Sequence, residues 1–91
     1  MTTFWHGNVA AATWTARNVS SVTENGVADV SITFREAYQA TPAAVIGAGN
    51  ATNLQGGFNA ITAASVRVVT VNSSGTASVG RKTSMICTGL I

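Results

Sequence analysis

The chain has 91 residues, which is enough for one domain near the lower size limit for folding without disulfides or metals. Hydrophobic residues make up 46% of it and charged residues only 9%, against about 25% in an average soluble domain. The five cations are scattered, whereas nucleic-acid binders concentrate theirs on one stripe or helix, so we expect no nucleic-acid partner. No apolar run approaches the ~20 residues of a membrane span, so we expect no membrane insertion.

The first residues of the chain show no clear strand or helix period. We expect residues 1–13 to form an arm or attachment segment and residues 14–91 to form a single domain. Phe4 and Trp5 would be an unsafe exposed patch unless a neighbour covers them. Phe4, Trp5 and Trp14 are therefore candidates for partner attachment. The two tryptophans are alternatively core or interface anchors, or a platform on which a sugar stacks.

A β-hairpin is the next element that the sequence predicts. Asn25-Gly26 is the strongest two-residue turn signal, and it lies between residues 14–24 and residues 27–34. This turn pairs Val19 with Ile32. Val22 would then face outward, which requires either a shifted register or a covered outer face.

Tyr38 and Pro42 come after this hairpin. Tyr38 is predicted to be a structural corner, and Pro42, which lacks an amide donor, marks the entrance of a strand. That strand begins with Ala43-Ala44-Val45-Ile46 and is expected to pair with the strand that ends at Phe34. The predicted core contains four large apolar side chains: Phe34, Val45, Val68 and Ile86.

The second half of the chain alternates between strand and turn patterns. Residues 47–57 are rich in glycine and asparagine and read as a long exposed loop, whereas residues 65–71 are a plain strand with valines on both faces. Residues 80–83 read as a polar loop and residues 85–91 as an apolar terminal strand. Side chains with donors and acceptors suited to polyhydroxyl ligands define the predicted binding site: Asn50, Asn53, Gln55, Arg81 and Lys82.

Residues 18–91 resemble an H-type lectin domain of the kind found at the C-terminus of bacteriophage tail fibres and related virion proteins. The resemblance is carried by Ile32-Thr33-Phe34, Tyr38, Pro42 and Val45, followed by the valine strand and the terminal strand. It implies an antiparallel sandwich of six strands that trimerises and binds sugars between protomers. That family often keeps aromatic residues where this chain has Asn72 and Ile86 or Cys87.

Catalytic and metal-binding functions lack the residues they need. The chain has one His, one Cys and one Asp, separated by tens of residues, and a metal site needs three or four ligands at definite spacing. Cys87 lies in an apolar run and is expected to be a small buried hydrophobe rather than a reactive thiol. We therefore expect neither an enzyme nor a cofactor.

The sequence thus predicts an all-β chain, a small antiparallel β-sandwich of about six strands that assembles as a homotrimer. We expect a bacteriophage virion component, assembled in the host cytoplasm because no export signal opens the chain. Its function would be non-covalent recognition of a host cell-surface glycan by a tail fibre or adhesion device. The alternative is a purely structural virion protein, such as a capsid decoration or an adaptor, that contacts only other virion proteins.

Overall fold

The computed structural model describes residues 1–8, 13–49, 55–72, 74–77 and 82–91, and the regular structure in these ranges is entirely β. Eight strands form two antiparallel sheets of four. Sheet A has the order β2-β1-β8-β5, and sheet B has the order β3-β4-β7-β6. The strands are β1 (Thr2–Gly7), β2 (Thr13–Arg17), β3 (Val19–Gly26), β4 (Asp29–Phe34), β5 (Ala43–Gly49), β6 (Gln55–Ile61), β7 (Ser65–Val71) and β8 (Lys82–Thr88).

The two sheets pack face to face around one core. Successive side chains in a strand point to opposite faces, so every second residue of the central strands is buried. The fully or nearly buried side chains come from both sheets: Trp5, Met85 and Cys87 from sheet A, and Val30, Ile32, Phe34, Val66 and Val68 from sheet B. The predicted all-β class is confirmed, with eight strands in place of about six. The described ranges contain no helix long and apolar enough to span a membrane.

The N-terminal segment is part of the sandwich, which corrects the prediction of an arm over residues 1–13. β1 lies inside sheet A, between β2 and β8. Trp5 is completely buried, and its Nε1 donates a hydrogen bond to Thr13 Oγ1 at 3.0 Å. The alternation was hidden because Phe4 and Trp5 are adjacent aromatic residues that point to opposite faces of the strand. Residues 9–12 lie outside the described ranges.

The prediction that residues 14–24 form one strand is wrong, because the chain changes sheets at Asn18. Asn18 has φ 59°, a left-handed conformation that asparagine tolerates better than most residues. Its side-chain amide donates to Thr3 Oγ1 at 2.8 Å, and its Oδ1 accepts from the Glu36 amide at 2.8 Å. These bonds fix the corner between β2 in sheet A and β3 in sheet B.

The hairpin exists, but its turn lies two residues later than predicted. Gly26 pairs with Asp29, so Val27 and Ala28 form the turn, with Ala28 at φ 55°. The shifted register pairs Val22 with Ile32 in place of Val19 with Ile32. Val22 therefore packs against the core, and the predicted conflict over its direction disappears.

The strand after Pro42 pairs with β8 of sheet A, not with β4 as predicted. Tyr38 makes the crossing: its hydroxyl is hydrogen-bonded to Thr3 Oγ1 at 2.7 Å, and its ring packs edge-on against Phe34. Phe34 and Val68 are buried, as predicted. Val45 and Ile86 are 71% and 46% exposed, because Ala44, Ile46, Met85 and Cys87 take the inward positions of the same two strands.

Candidate functional site

The predicted glycan site falls largely outside the described residues. Asn50, Asn53 and Arg81 lie there, and only the backbone is described for Gln55 and Lys82, which begin β6 and β8. Both ends of the segment predicted as a loop, residues 47–57, belong to strands: β5 extends to Gly49 and β6 begins at Gln55. Gly49 pairs with Lys82 and Ala48 with Thr83, so the backbone brings the predicted 47–57 and 80–83 segments side by side.

The described surface offers a different candidate, the outer face of sheet A, meaning the side turned away from sheet B. Cross-strand pairing aligns one row of this face across all four strands. Phe4 lies opposite Arg17 on one side and Ile86 on the other, and Ile86 lies opposite Val45. Directly opposed side chains share a face, so three apolar side chains form a continuous band that ends in one cation.

Trp14 joins this band through a β-bulge. His6 pairs with Thr15 and Gly7 pairs with Thr13, which leaves Trp14 as the extra residue. A bulge re-aims a side chain, and here the Trp14 ring lies 5.3 Å from the His6 ring, centre to centre, at 57°. Trp14 is 52% exposed. His6 is held in turn by a 2.8 Å hydrogen bond between its Nδ1 and Ser84 Oγ.

The outer face of sheet B carries a polar network beside Val69, which lies opposite Asp29. Arg67 donates from Nε to Asp29 Oδ1 at 2.8 Å and from Nη2 to Asp29 Oδ2 at 2.7 Å. Asn25 Nδ2 donates to Ser31 Oγ at 2.7 Å and to Asp29 Oδ1 at 3.3 Å. The Arg67 hydrogen bonds hold the pKa of the Asp29 carboxyl below its ordinary value. The side chains of Asn25, Asp29, Ser31 and Arg67 therefore satisfy one another.

Charge is also divided unequally between the sheets. The chain has three acidic residues: Glu24 in β3, Asp29 in β4 and Glu36 just after β4. No acidic residue belongs to a strand of sheet A, which contributes Arg17 and Lys82. The outer face of sheet A thus carries an apolar and aromatic row, in a sheet whose charged residues are all cationic.

The cysteine is positioned as a packing residue, in agreement with the sequence prediction. Cys87 is fully buried, and its Sγ contacts Met85 Sδ at 3.1 Å. Burial raises the pKa of the Cys87 thiol to about 11, which keeps it protonated and poorly nucleophilic at neutral pH. Within the described ranges, no group of three His, Cys, Asp or Glu residues is placed to hold a metal ion.

The three aromatic attachment candidates therefore separate. Phe4 and Trp14 lie on the outer face of sheet A, whereas Trp5 belongs to the core. Sequence reasoning missed Val45, Ile86 and His6 as members of this surface. The signal was present in β8, where Met85 and Cys87 alternate with Ser84 and Ile86, but alternation alone does not say which set faces the core.

The comparisons add no relative to this picture: no family model, curated protein or solved structure matches the chain.

Proposed function

We propose that the chain is a non-enzymatic structural component of a bacteriophage particle that docks onto neighbouring virion proteins through the outer face of sheet A. The contrast between the two outer faces carries the proposal. On one face Asp29 and Arg67 bond each other, as do Asn25 and Ser31, and the other face presents partly buried Phe4 with exposed Trp14, Val45 and Ile86. An exposed apolar band of this kind marks an interaction site.

The size of the face suits a repeated contact. Four strands about 4.8 Å apart and about six residues long span roughly 400 Å². A stable interface usually buries about 800 Å² per partner, so a single face gives a weak attachment. Several copies on one particle would multiply it, and the homotrimer implied by the lectin-like resemblance would present three such faces.

The charge of sheet A also describes its partner. Arg17 ends the apolar row, and no acidic residue lies in the strands of sheet A. A partner surface with an apolar centre and carboxylates at its rim would be complementary, and a cationic partner would be repelled.

The test is to find the chain on particles. Phage particles from cells that carry the gene are purified by density-gradient centrifugation, analysed by mass spectrometry and imaged by cryo-electron microscopy. The proposal expects the chain at a fixed stoichiometry, with the outer face of sheet A against a neighbour. Purified particles that lack the chain would overturn it.

Recognition of a host cell-surface glycan is the second candidate, and exposed Trp14 favours it. A half-exposed indole supported by the His6 ring can stack on the apolar face of a sugar. Thr15 and Ser84 lie on the same face, opposite His6, and supply hydroxyls for hydrogen bonds.

A multivalent display of the chain on a glycan array tests this second candidate. Binding that is lost in Trp14→Ala, and retained in an Asn50/Asn53/Arg81 triple alanine variant, would assign recognition to the Trp14 surface. The opposite pattern would assign it to the two loops predicted from the sequence. An array with no signal would leave the structural function as the proposal.

A further inference from the structure

Within the described ranges, β5 is the edge strand with neither a charge nor a pairing irregularity, and across the sandwich its Ile46 side chain lies against Gly56 of β6. A strand at the edge of a sheet presents unpaired N–H and C=O groups, and proteins guard such edges with charges, bulges or short strands. Among the described residues, β5 pairs only with β8, so about half of its backbone groups point outward. β5 contains seven residues, Ala43–Gly49, and none of them is charged.

The other three edge strands all carry a guarding feature. β2 has five residues, ends in Arg17 and contains the Trp14 bulge. β3 contains Glu24, and its pairing with β4 is interrupted twice. β6 is uncharged, but its pairing with β7 is interrupted between Phe58 and Ala60. β5 differs from all three, since its seven pairs with β8 follow one another without a shift.

We propose that β5 pairs with β5 of a second copy of this chain, antiparallel and across a two-fold axis. Self-pairing places each residue of β5 opposite another residue of the same strand. This is tolerated because β5 contains no charged residue, so no like charges meet. The strand is also regular over its whole length, so all seven residues can take part. A two-fold axis within an antiparallel sheet leaves the outer faces of both copies pointing the same way.

The area of the joined sheet favours a second copy over an unrelated strand as the occupant. Pairing at β5 makes one eight-stranded sheet and doubles the outer face from roughly 400 Å² to roughly 800 Å². That is about the area per partner of a stable protein interface. This part of the argument rests on the proposed docking function, whereas the edge argument stands without it.

Mass and a matched pair of lysine variants test the contact in the isolated chain. The ideal Cβ positions of Gly47 in β5 and Gly57 in β6 both have no described atom within 4 Å, so either position accepts a lysine. Gly47→Lys places a lysine on the outer face of β5, where full self-pairing centred on Ile46 would bring the two lysines within about 8 Å of each other. Gly57→Lys places the same charge on the edge strand of sheet B. Multi-angle light scattering of the wild type should give twice 9.2 kDa, or six times if the trimer also forms.

Gly47→Lys should weaken the two-fold association at least tenfold and Gly57→Lys should leave it intact. Hydrogen exchange of the wild type adds a measurement that needs no variant: the amides of residues 43–49 should exchange more slowly at high protein concentration than after dilution. A mass of one or three times 9.2 kDa would overturn the proposal, as would exchange at β5 that is independent of concentration. None of these results depends on whether particles contain the chain, so the two proposals fail separately.

Discussion

Two buried threonines in adjacent strands of sheet A show how much a single hydroxyl group matters in this core. Thr3 and Thr83 are 0% and 1% exposed. Thr3 Oγ1 is bonded to the Tyr38 hydroxyl and accepts from Asn18 Nδ2, whereas Thr83 Oγ1 has no hydrogen-bond partner among the described residues. A buried polar group without a partner costs free energy, and a satisfied one does not.

Valine substitutions at these two positions should therefore have opposite effects. Thr83→Val should raise the free energy of unfolding by about 1 kcal/mol, because it removes a desolvated hydroxyl without changing the shape of the side chain. Thr3→Val should lower it by about 1–3 kcal/mol, because the Tyr38 hydroxyl and the Asn18 amide each lose one of their two hydrogen bonds. Urea denaturation measures both. Equal losses in the two variants would contradict this account of the core.

The Asp29–Arg67 pair makes stability depend on pH at the acid end. Because Arg67 lowers the pKa of Asp29 in the folded chain, the contribution of the pair is fully present above the unfolded pKa of about 3.9. It is lost as the pH falls through the lower folded-state pKa. As the pH falls below about 4, the Asp29→Asn variant should therefore lose less stability than the wild type. Near neutral pH the stability curves of the two proteins should run parallel. Thermal unfolding from pH 2 to 7 measures this, and parallel curves throughout would contradict it.

At the residue scale, the sequence predicted the positions whose chemistry has one good solution. Pro42 precedes a strand, Cys87 is buried, and Tyr38 forms a corner. The prediction that Val45 and Ile86 are buried was wrong. Both belong to strands with apolar side chains on both faces, where hydrophobicity does not identify the side that faces the core. Their outward position depends on which sheet β5 joins, and that is a property of the whole fold.

At the scale of elements, the end of β8 is joined to the corner that links the sheets. A Cβ on Gly89 would lie 2.9 Å from Tyr38 Cδ1 and 3.4 Å from Pro42 Cβ. An added methyl group must displace the Tyr38 ring. That ring packs edge-on against Phe34, and its hydroxyl is hydrogen-bonded to Thr3. The tight approach therefore connects β8, β1 and the end of β4.

Gly89→Ala should lower the free energy of unfolding by about 1–3 kcal/mol, because overpacking forces the ring or the backbone to move. Gly26→Ala is the matched control, since no described atom lies within 4 Å of its ideal Cβ position. Chemical denaturation of the two variants measures the difference. A Gly89→Ala variant as stable as Gly26→Ala would show that the corner is not tightly packed.

The elements that could be predicted were those with a clean period and a strong boundary. β7 is a run of valines bounded by turn residues on both sides, and β4 alternates polar and apolar residues up to Phe34. The break between β2 and β3 was missed because Asn18 interrupts a run of strand-forming residues by one left-handed residue. β1 was missed because its bulky residues lie on both faces, which conceals the alternation. The predicted ligand residues lie mostly outside the described ranges, so the glycan site stays a prediction.

In the whole molecule, apolar side chains form the core between the sheets and also a row on the outer face of sheet A. Charged residues make up only 9% of the chain, and so low a charge indicates that part of the surface is covered by a partner. The structure places exposed apolar side chains on the outer face of sheet A and the Asp29–Arg67 pair on that of sheet B. One outer face thus carries an exposed apolar row and the other carries a bonded polar network, and this difference is the basis of the proposed docking function.

The most direct test of that function compares two lysine variants on opposite faces during particle assembly. Ile86→Lys places a charge at the centre of the apolar row, between Phe4 and Val45, and Thr33→Lys places the same charge at an exposed position of sheet B. Circular dichroism first establishes that both variants fold, and quantitative mass spectrometry then measures the amount of each in purified particles. The account expects Ile86→Lys to be depleted at least tenfold and Thr33→Lys to match the wild type, and equal incorporation of the two folded variants would contradict it.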